Sequence, residues 1–386
     1  MAQRKSLISL FSGIGGLDEG LHQSGFRTRF CCELDDYARA SLKNWVKLRR
    51  VKPEIETDIL QVSPGTLRKK LGLSTGELDL LAGGPPCQSF SLIGKRESLT
   101  DPRGQLLFQM IRFAEEFRPK LVLVEQVKGL RSAPGANGER GGALESFEAG
   151  FTSLGYSVQH TVLRASDYGV PQHRERLFIV ATAPGYSFSF PTPSHVDPKK
   201  TPPLLTMMET RPKHTNVRTA IGDLPSPVKK GETPSIPNHI DVTPARDQER
   251  IHGVPEGEFL AAQLHLPDSQ RKRLNPKKDT TKFRRLCWDK PSLTIRGGEA
   301  FYHPVEDRYI TPREALRIHG FPDKLVLEGP IRGRSGNYRG LDQHRQVANA
   351  VPPGLAAALG HQLILCLEQE SVFFAGDNSD GFVAQQ

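Results

Sequence analysis

A mostly parallel α/β sheet with a late antiparallel strand, and a smaller loop-rich domain beside it, is the fold this sequence predicts. Through residue 183, apolar runs of strand length alternate with helix-period stretches, the pattern of strands joined by crossover helices. Chemistry-bearing residues stand directly after several of those runs, where open α/β sheets place their sites. Beyond residue 183 helix periodicity fades, and 15 of the 30 prolines fall between Pro184 and Pro276, so the regular layer cannot continue there.

The first four strands are expected at 7–11, 29–33, 78–82 and 121–125, each short and apolar as strands covered on both faces should be. Two more, at 157–164 and 176–181, are joined by Asp167, Tyr168, Gly169, Val170 and Pro171. That is turn chemistry, so these two are expected to pair antiparallel. Cys31 and Cys32 read as core residues of the second strand. Helical spacing returns at 353–367, and a closing helix docked on the first domain would make that domain discontinuous. The expected boundaries are 1–183 with 335–386 for the α/β domain and 184–334 for the loop-rich domain with its hinge segments.

Lysine and arginine outnumber aspartate and glutamate 52 to 43, a formal net charge of +9 that favours a polyanionic partner such as nucleic acid. The excess is local: 271–290 holds nine basic residues against two acidic ones. Arg271, Lys272, Arg273, Lys277, Lys278, Lys282, Arg284 and Arg285 are therefore a candidate phosphate-contact surface. With 37% hydrophobic and 25% charged residues, the chain fits neither a membrane protein nor a disordered one. No apolar stretch nears the ~18 residues of a bilayer span, and the first residues do not form a secretory signal. An intracellular protein with no membrane partner is expected. Five cysteines, none in a CxxC pair or at zinc-ligand spacing from His, point to neither a disulfide framework nor a metal.

Phe11, Ser12, Gly13, Ile14, Gly15, Gly16 and Leu17 follow the first strand and open a helical stretch. Such a turn lets a ligand approach the backbone and the helix N-terminus. The dinucleotide fingerprint would require glycine at position 18, where this chain has Asp18, which counts against a nicotinamide dinucleotide. Glu33 lies about 20 residues past Gly13, the separation at which a carboxylate reaches ribose hydroxyls. Asp58 and Ile59 are placed to hold an adenine. Together these features fit a nucleoside cofactor without a pyrophosphate.

The strand at 78–82 runs into Gly83, Gly84, Pro85, Pro86, Cys87, Gln88 and Ser89, so two prolines stiffen the backbone just before a thiol. The strand at 121–125 ends in Glu125, Gln126 and Val127, a carboxyl in apolar surroundings whose pKa burial should raise. Gln172, His173, Arg174, Glu175 and Arg176 open the last strand, and alternation points Arg174 and Arg176 to one face, where they would stabilise an anion.

In this order the motifs resemble those of the DNA (cytosine-5)-methyltransferases of the bacterial type, and the match runs along nearly the whole chain. The glycine turn, the Pro-Cys segment and the Gln-x-Arg-x-Arg segment are three of them. A fourth is the closing Gln346-Val347-Ala348-Asn349-Ala350-Val351-Pro352-Pro353, and a fifth is 308–323, which resembles the segment folding under the recognition domain. One residue departs from the pattern: the family's Glu-Asn-Val reads Glu125-Gln126-Val127, which puts in question the bracing of the catalytic loop credited to the Asn.

The resemblance implies a Rossmann-like sheet that uses S-adenosylmethionine and releases S-adenosylhomocysteine, without a metal, and a target-recognition domain that reads double-stranded DNA. Cys87 would add to carbon 6 of a flipped-out cytosine. Glu125, protonated, would hydrogen-bond ring nitrogen 3 as negative charge builds, and Arg174 or Arg176 would hold the oxygen at carbon 2. Cofactor contacts would extend to Leu34, Ile59, Pro85, Leu106, Asn349 and Ala350, and DNA contacts to Gln88 and Ser89. A monomer in a bacterial or archaeal cytoplasm is implied, sharing its target with a cognate restriction endonuclease without a stable complex. Three other readings stay open. They are the same chemistry on transfer RNA, a catalytically silent DNA-binding relative, and a nicotinamide oxidoreductase, the last disfavoured by Asp18.

Overall fold

The computed structural model describes residues 3–86, 105–135, 138–197, 209–260, 283–297, 301–332 and 340–376. In chain order the first elements are β1 (Lys5–Leu10), α1 (Gly16–Ser24), β2 (Phe26–Cys32), α2 (Asp36–Arg49), β3 (Glu54–Glu56), α3 (Pro64–Lys70) and β4 (Leu80–Gly83). They continue with α4 (Gln105–Phe117), β5 (Leu121–Gln126), α5 (Gly142–Thr152), β6 (Ser157–Arg164), β7 (Gln172–His173) and β8 (Glu175–Thr182). The loop-rich stretch holds α6 (Val217–Ile221), β9 (Val228–Lys229), β10 (Ile240–Asp241), α7 (Ala245–Ile251), β11 (Ser292–Leu293) and α8 (Pro312–His319). The chain closes with α9 (Gln343–Asn349) and α10 (Pro353–Gly376).

Seven strands form one sheet in the order β3-β2-β1-β4-β5-β8-β6. The first five run parallel, and β8 is antiparallel to both β5 and β6. The strand order reverses between β1 and β4, so the crevice beyond their carboxyl ends is the natural ligand position. Side-chain alternation explains why both faces are covered. Leu7, Leu80, Leu121, Leu123 and Phe178 pack on one face with Leu21 of α1 and Leu355, Leu359 and Leu363 of α10. Their sequence neighbours Ile8, Leu81, Val122, Val124 and Ile179 pack on the other with Met110, Phe113, Phe147 and Phe151 of α4 and α5.

The late antiparallel strand appears as expected, with β6 matching 157–164 in full. The sequence does not reveal β3, whose three residues contain one apolar side chain and whose pairing is supplied by β2. Gln172 and His173 do not open the last strand. After Pro171 the backbone turns tightly, Gln172 N donating to Val170 O at 2.7 Å and Arg174 N to Gln172 O at 3.0 Å. This takes β7 off the main sheet to pair with β11.

The loop-rich stretch is packed against the α/β layer, with which it shares a core. Val217, Leu286, Ile295, Phe301, Ile310, Leu316 and Phe321 are buried with Ile14, Ala38, Leu42 and Trp45 of the first 50 residues, and with Val347 of α9. α8 is held by a capping box, in which Thr311 Oγ1 accepts from Glu314 N and Glu314 Oε2 accepts from Thr311 N. Arg308 donates to both oxygens of that buried Glu314 at 2.8 Å. At the chain's end, Ser24 Oγ of α1 donates to Ala357 O at 2.9 Å. A Cβ on Gly20 would collide with the Pro353 carbonyl, so glycine is what lets α1 and α10 approach. The stretch 343–369, which runs from α9 into α10, is long and apolar enough to cross a membrane, against the expectation of no such stretch, but 61% of its most apolar part is buried inside the protein.

Candidate active site

At the end of β1 the chain turns sharply, with left-handed φ values of 57° at Phe11, 55° at Gly13 and 82° at Gly15. Glycine makes two of these conformations accessible without strain. Glu33 holds the turn: its Oε2 accepts from Gly13 N and its Oε1 from Asp35 N, both at 2.8 Å. Burial pushes the Glu33 carboxyl up, and the two backbone donors pull it back. Each oxygen retains a second lone pair, so the bracing role leaves Glu33 able to accept from ribose hydroxyls. A Cβ on Gly13 would meet nothing within 4 Å, whereas one on Gly16 would collide with Val351 O. Gly13 thus leaves space beside the turn, and Gly16 lets the closing segment lie against it, with Ala350 Cβ 3.3 Å from the same point. Beneath the turn, buried Asp18 accepts from Ser9 Oγ at 2.8 Å and Thr28 Oγ1 at 3.1 Å, and burial pushes its pKa up to about 6.

The other expected cofactor contacts fall unevenly. Leu34 is 66% exposed, an apolar side chain left open next to Glu33. Asn349 is exposed, while Ala350 and Ile59 are buried, and Leu106 packs on the core that contains Ile59. Asp58 Oδ1 accepts from Leu60 N at 3.0 Å, closing its own turn. Open space at Gly13, uncommitted lone pairs on Glu33 and an exposed Leu34 together fit a group with a hydroxylated sugar and an apolar base.

At the end of β4, a Cβ on Gly83 would lie 2.8 Å from Leu10 O, and one on Gly84 would lie 3.2 Å from Glu125 Oε2. Glycines here let β1 and β4 close up and bring the Glu125 carboxylate against the segment leading to Cys87. Cys87, Gln88 and Ser89 lie outside the described residues. Glu125 is 9% exposed, and Arg176 Nε is 2.9 Å from its Oε1. Burial pushes the Glu125 carboxyl up, and the Arg176 and Arg174 charges pull it back.

The two arginines do different things. Arg176 faces Glu125, whereas Arg174 is 1% exposed and turned to the backbone, Nη1 donating to Ile295 O at 3.2 Å and Nη2 to Ala348 O at 2.7 Å. Burial lowers the Arg174 pKa to about 9, still above neutral, so its charge is kept. Gln126, at the departure from the family pattern, donates from Nε2 to Pro85 O. Gln126 thus ties the end of β5 to Pro85, two residues before Cys87, with an amide one methylene longer than the family's Asn, a reach that only the structure reveals. Gln126→Asn is expected to weaken that bond by about 1 kcal/mol, a loss of under about tenfold in rate, measured as kcat on the substrate that the resemblance implies.

Of the expected DNA-contact residues, only Arg284 and Arg285 lie among those described. Arg284 Nε donates to Gly257 O at 2.8 Å. Arg285 departs from expectation: it is 4% exposed and spends its guanidinium on His303 O, Glu306 O, Ile251 O and Asp307 Oδ1. A buried, multiply bonded charge of this kind ties loops together, and moving it to a phosphate would leave those acceptors bare. A cavity of about 400 Å³ is lined by Arg164, Asp167, Glu175, His195, Asp197 and Arg211, with none of Glu125, Arg176 or the glycine turn among its walls. The chemistry is instead gathered at the carboxyl ends of β1, β4 and β5.

Residues 6–365 match the family described as C-5 cytosine-specific DNA methylase. Among curated proteins, the chain is 30% identical to the type II methyltransferase M.AgeI of Thalassovita gelatinovora, over 92% of this chain and 98% of that one. It is 32% identical to the type II methyltransferase M.Eco47II of Escherichia coli, over 94% and 80% respectively. Among solved structures, a DNA modification methyltransferase encoded within an E. coli prophage superposes with a TM-score of 0.66 at 21% identity, covering 94% of this chain and 99% of that one.

Proposed function

Because the chain belongs to the C-5 cytosine-specific DNA methylase family, and so is a DNA cytosine methyltransferase, we propose that it methylates carbon 5 of a cytosine flipped out of a specific double-stranded DNA sequence, through a covalent Cys87 adduct. The observation that carries this reading is the Glu125–Arg176 pair lying against Gly84, beside the glycine turn and three residues before Cys87. S-adenosylmethionine supplies an electrophilic methyl group. The glycine turn, Glu33, Leu34 and the 349–350 segment would hold it.

Carbon 5 of cytosine is a poor nucleophile, and the chain's residues correct that. Cys87 thiolate forms a bond to carbon 6, and the electrons of the 5,6 double bond move into the ring. Glu125 delivers a proton to nitrogen 3 as charge collects there, and Arg176 holds the oxygen at carbon 2. Carbon 5 would then take the methyl group with release of S-adenosylhomocysteine, the nitrogen 3 proton would return to Glu125, and carbon 5 would lose its proton to a base as the double bond re-forms and Cys87 departs as thiolate. Arg174, committed to backbone carbonyls, braces this arrangement. Base flipping costs a few kcal/mol, which phosphate contacts from the 184–334 stretch would offset. Likeness to type II methyltransferases supports a restriction-modification role, and our reading adds a monomer in a bacterial or archaeal cytoplasm whose cognate restriction endonuclease would read the same site.

Bisulfite sequencing of DNA from cells expressing the protein tests the reading, since conversion-resistant cytosines in one recurring sequence are expected. Unmodified DNA together with methylated transfer RNA would overturn it. The basic stretch is expected to set affinity without setting the sequence, because phosphates are alike at every site. Lys277→Ala with Lys278→Ala should weaken specific and non-specific binding alike and lower the magnitude of the log-log salt slope by about 0.9 for each phosphate that the variant leaves unneutralised. An altered target with an unchanged slope would place these lysines in base readout.

A further inference from the structure

We infer that His319 is a positioning residue that ties the cofactor-side segment at Ala350 to the base-side segment at Gln172, one ring nitrogen serving each half of the site. The role presupposes the cofactor and base sites proposed above. His319 ends α8 and has no exposed surface. Its Nε2 lies 2.9 Å from Ala350 O, and its Nδ1 lies 3.0 Å from Gln172 Nε2. A carbonyl only accepts and an amide nitrogen only donates, so Nε2 carries the hydrogen and Nδ1 accepts. The orientation of the Gln172 amide is set independently, because its Oε1 accepts from Ile295 N at 3.2 Å. One neutral tautomer therefore satisfies both neighbours, and a second ring proton would point at the Gln172 amide hydrogens. Burial, with the Arg174 charge adding to it, holds the His319 pKa well below that of a free histidine.

Three further contacts tie the same pieces together. Arg174 bridges Ile295 O and Ala348 O alongside the histidine. The His319 ring stacks on Phe321, centroids 5.9 Å apart and planes 14° from parallel. Phe321 Cζ in turn lies 3.0 Å from where a Cβ on Gly16 would stand, which reaches the glycine turn. On the other side, Gln172 lies in the short run that continues to Arg176 and its partner Glu125. The imidazole is thus the one side chain among the described residues that hydrogen-bonds both Gln172 and Ala350.

Two amide replacements separate the two bonds, because Asn places its oxygen near the Nδ1 position and Gln its nitrogen near the Nε2 position. His319→Asn keeps the acceptor for Gln172 and loses the donor to Ala350. It should weaken S-adenosylhomocysteine binding, measured by calorimetry, by about tenfold while kcat at saturating cofactor stays near wild type. His319→Gln keeps the donor and loses the acceptor, so its kcat on duplex DNA should fall by about tenfold while cofactor affinity stays. Gln172→Met, which leaves the histidine in place, should repeat the His319→Gln result and stands in for it should either histidine variant fail to fold. Equal losses in both measurements, or a lowered melting temperature with neither measurement changed, would reduce His319 to a packing residue. A wild-type protein that neither binds S-adenosylhomocysteine nor methylates duplex DNA would overturn the proposed function and this role with it. A wild type that does both while the variants fail to split overturns the role alone.

Discussion

Cys87→Ala is expected to abolish methyl transfer to duplex DNA and leave the affinity for S-adenosylhomocysteine nearly unchanged. In the proposed mechanism the thiol attacks the base, whereas the groups suited to the cofactor lie at the ends of β1 and β2, where Gly13 and Glu33 are joined by a 2.8 Å hydrogen bond. In that mechanism covalency itself creates the nucleophile at carbon 5, so loss of the sulfur should not be made good by a hydrogen-bonding neighbour. Duplex DNA containing 5-fluorocytosine gives the sharper test, since fluorine cannot leave carbon 5 as a proton does. The wild type should form an adduct that survives denaturing electrophoresis, and the Ala variant should form none. An adduct in the Ala variant would mean that another nucleophile does the work.

Glu125→Gln should lower kcat by ~10²-fold or more, the usual scale for removing a positioned proton donor. The replacement keeps the size of the side chain, so the close fit to Gly84, where a Cβ would lie 3.2 Å from Glu125 Oε2, survives. The titratable proton is lost, and with it the negative charge that faces Arg176 when the carboxyl is ionised. Direction with pH follows from the raised pKa of the buried carboxyl. A carboxyl whose pKa is raised keeps its proton to higher pH, so a wild-type rate that depends on that proton falls as pH rises through the shifted value. Gln does not titrate, so the variant's residual rate should lack that falling limb. The 5-fluorocytosine adduct should form correspondingly slowly, and cofactor affinity should not move. A Glu125→Gln enzyme with wild-type kcat would remove Glu125 from the mechanism, whatever its neighbours.

The contrast with Gln126 is instructive, since the two residues are adjacent in sequence and on one strand. Alternation sends Glu125 toward Gly84 and Arg176, and Gln126 toward Pro85 O. From the sequence, Gln126 is only a departure whose effect on the loop stays open. A hydrogen bond between residues 41 apart decides what it does.

What this sequence determined by itself is the sheet and the places on it where chemistry belongs. Strand periodicity is local, and Leu7/Ile8, Leu80/Leu81 and Leu121/Val122 each announce two buried faces through neighbouring residues alone. Glycine at positions 13 and 15 likewise signals a turn from local backbone freedom, confirmed by their positive φ. What only the tertiary structure decided is the division of labour among buried polar groups. Arg174 and Arg176 look equivalent in Gln-x-Arg-x-Arg, yet one braces Ala348 O and Ile295 O while the other faces Glu125. Arg285 belongs to a run of basic residues, yet its charge is turned inward to Asp307. His319 lies within the 308–323 motif, yet nothing in the sequence assigns it a role, and its partner Gln172 is 147 residues away. The physical reason is the same in each case: apolar burial is set by residue type and spacing, whereas a buried donor or acceptor is defined by whichever distant group the folded chain brings within hydrogen-bond reach.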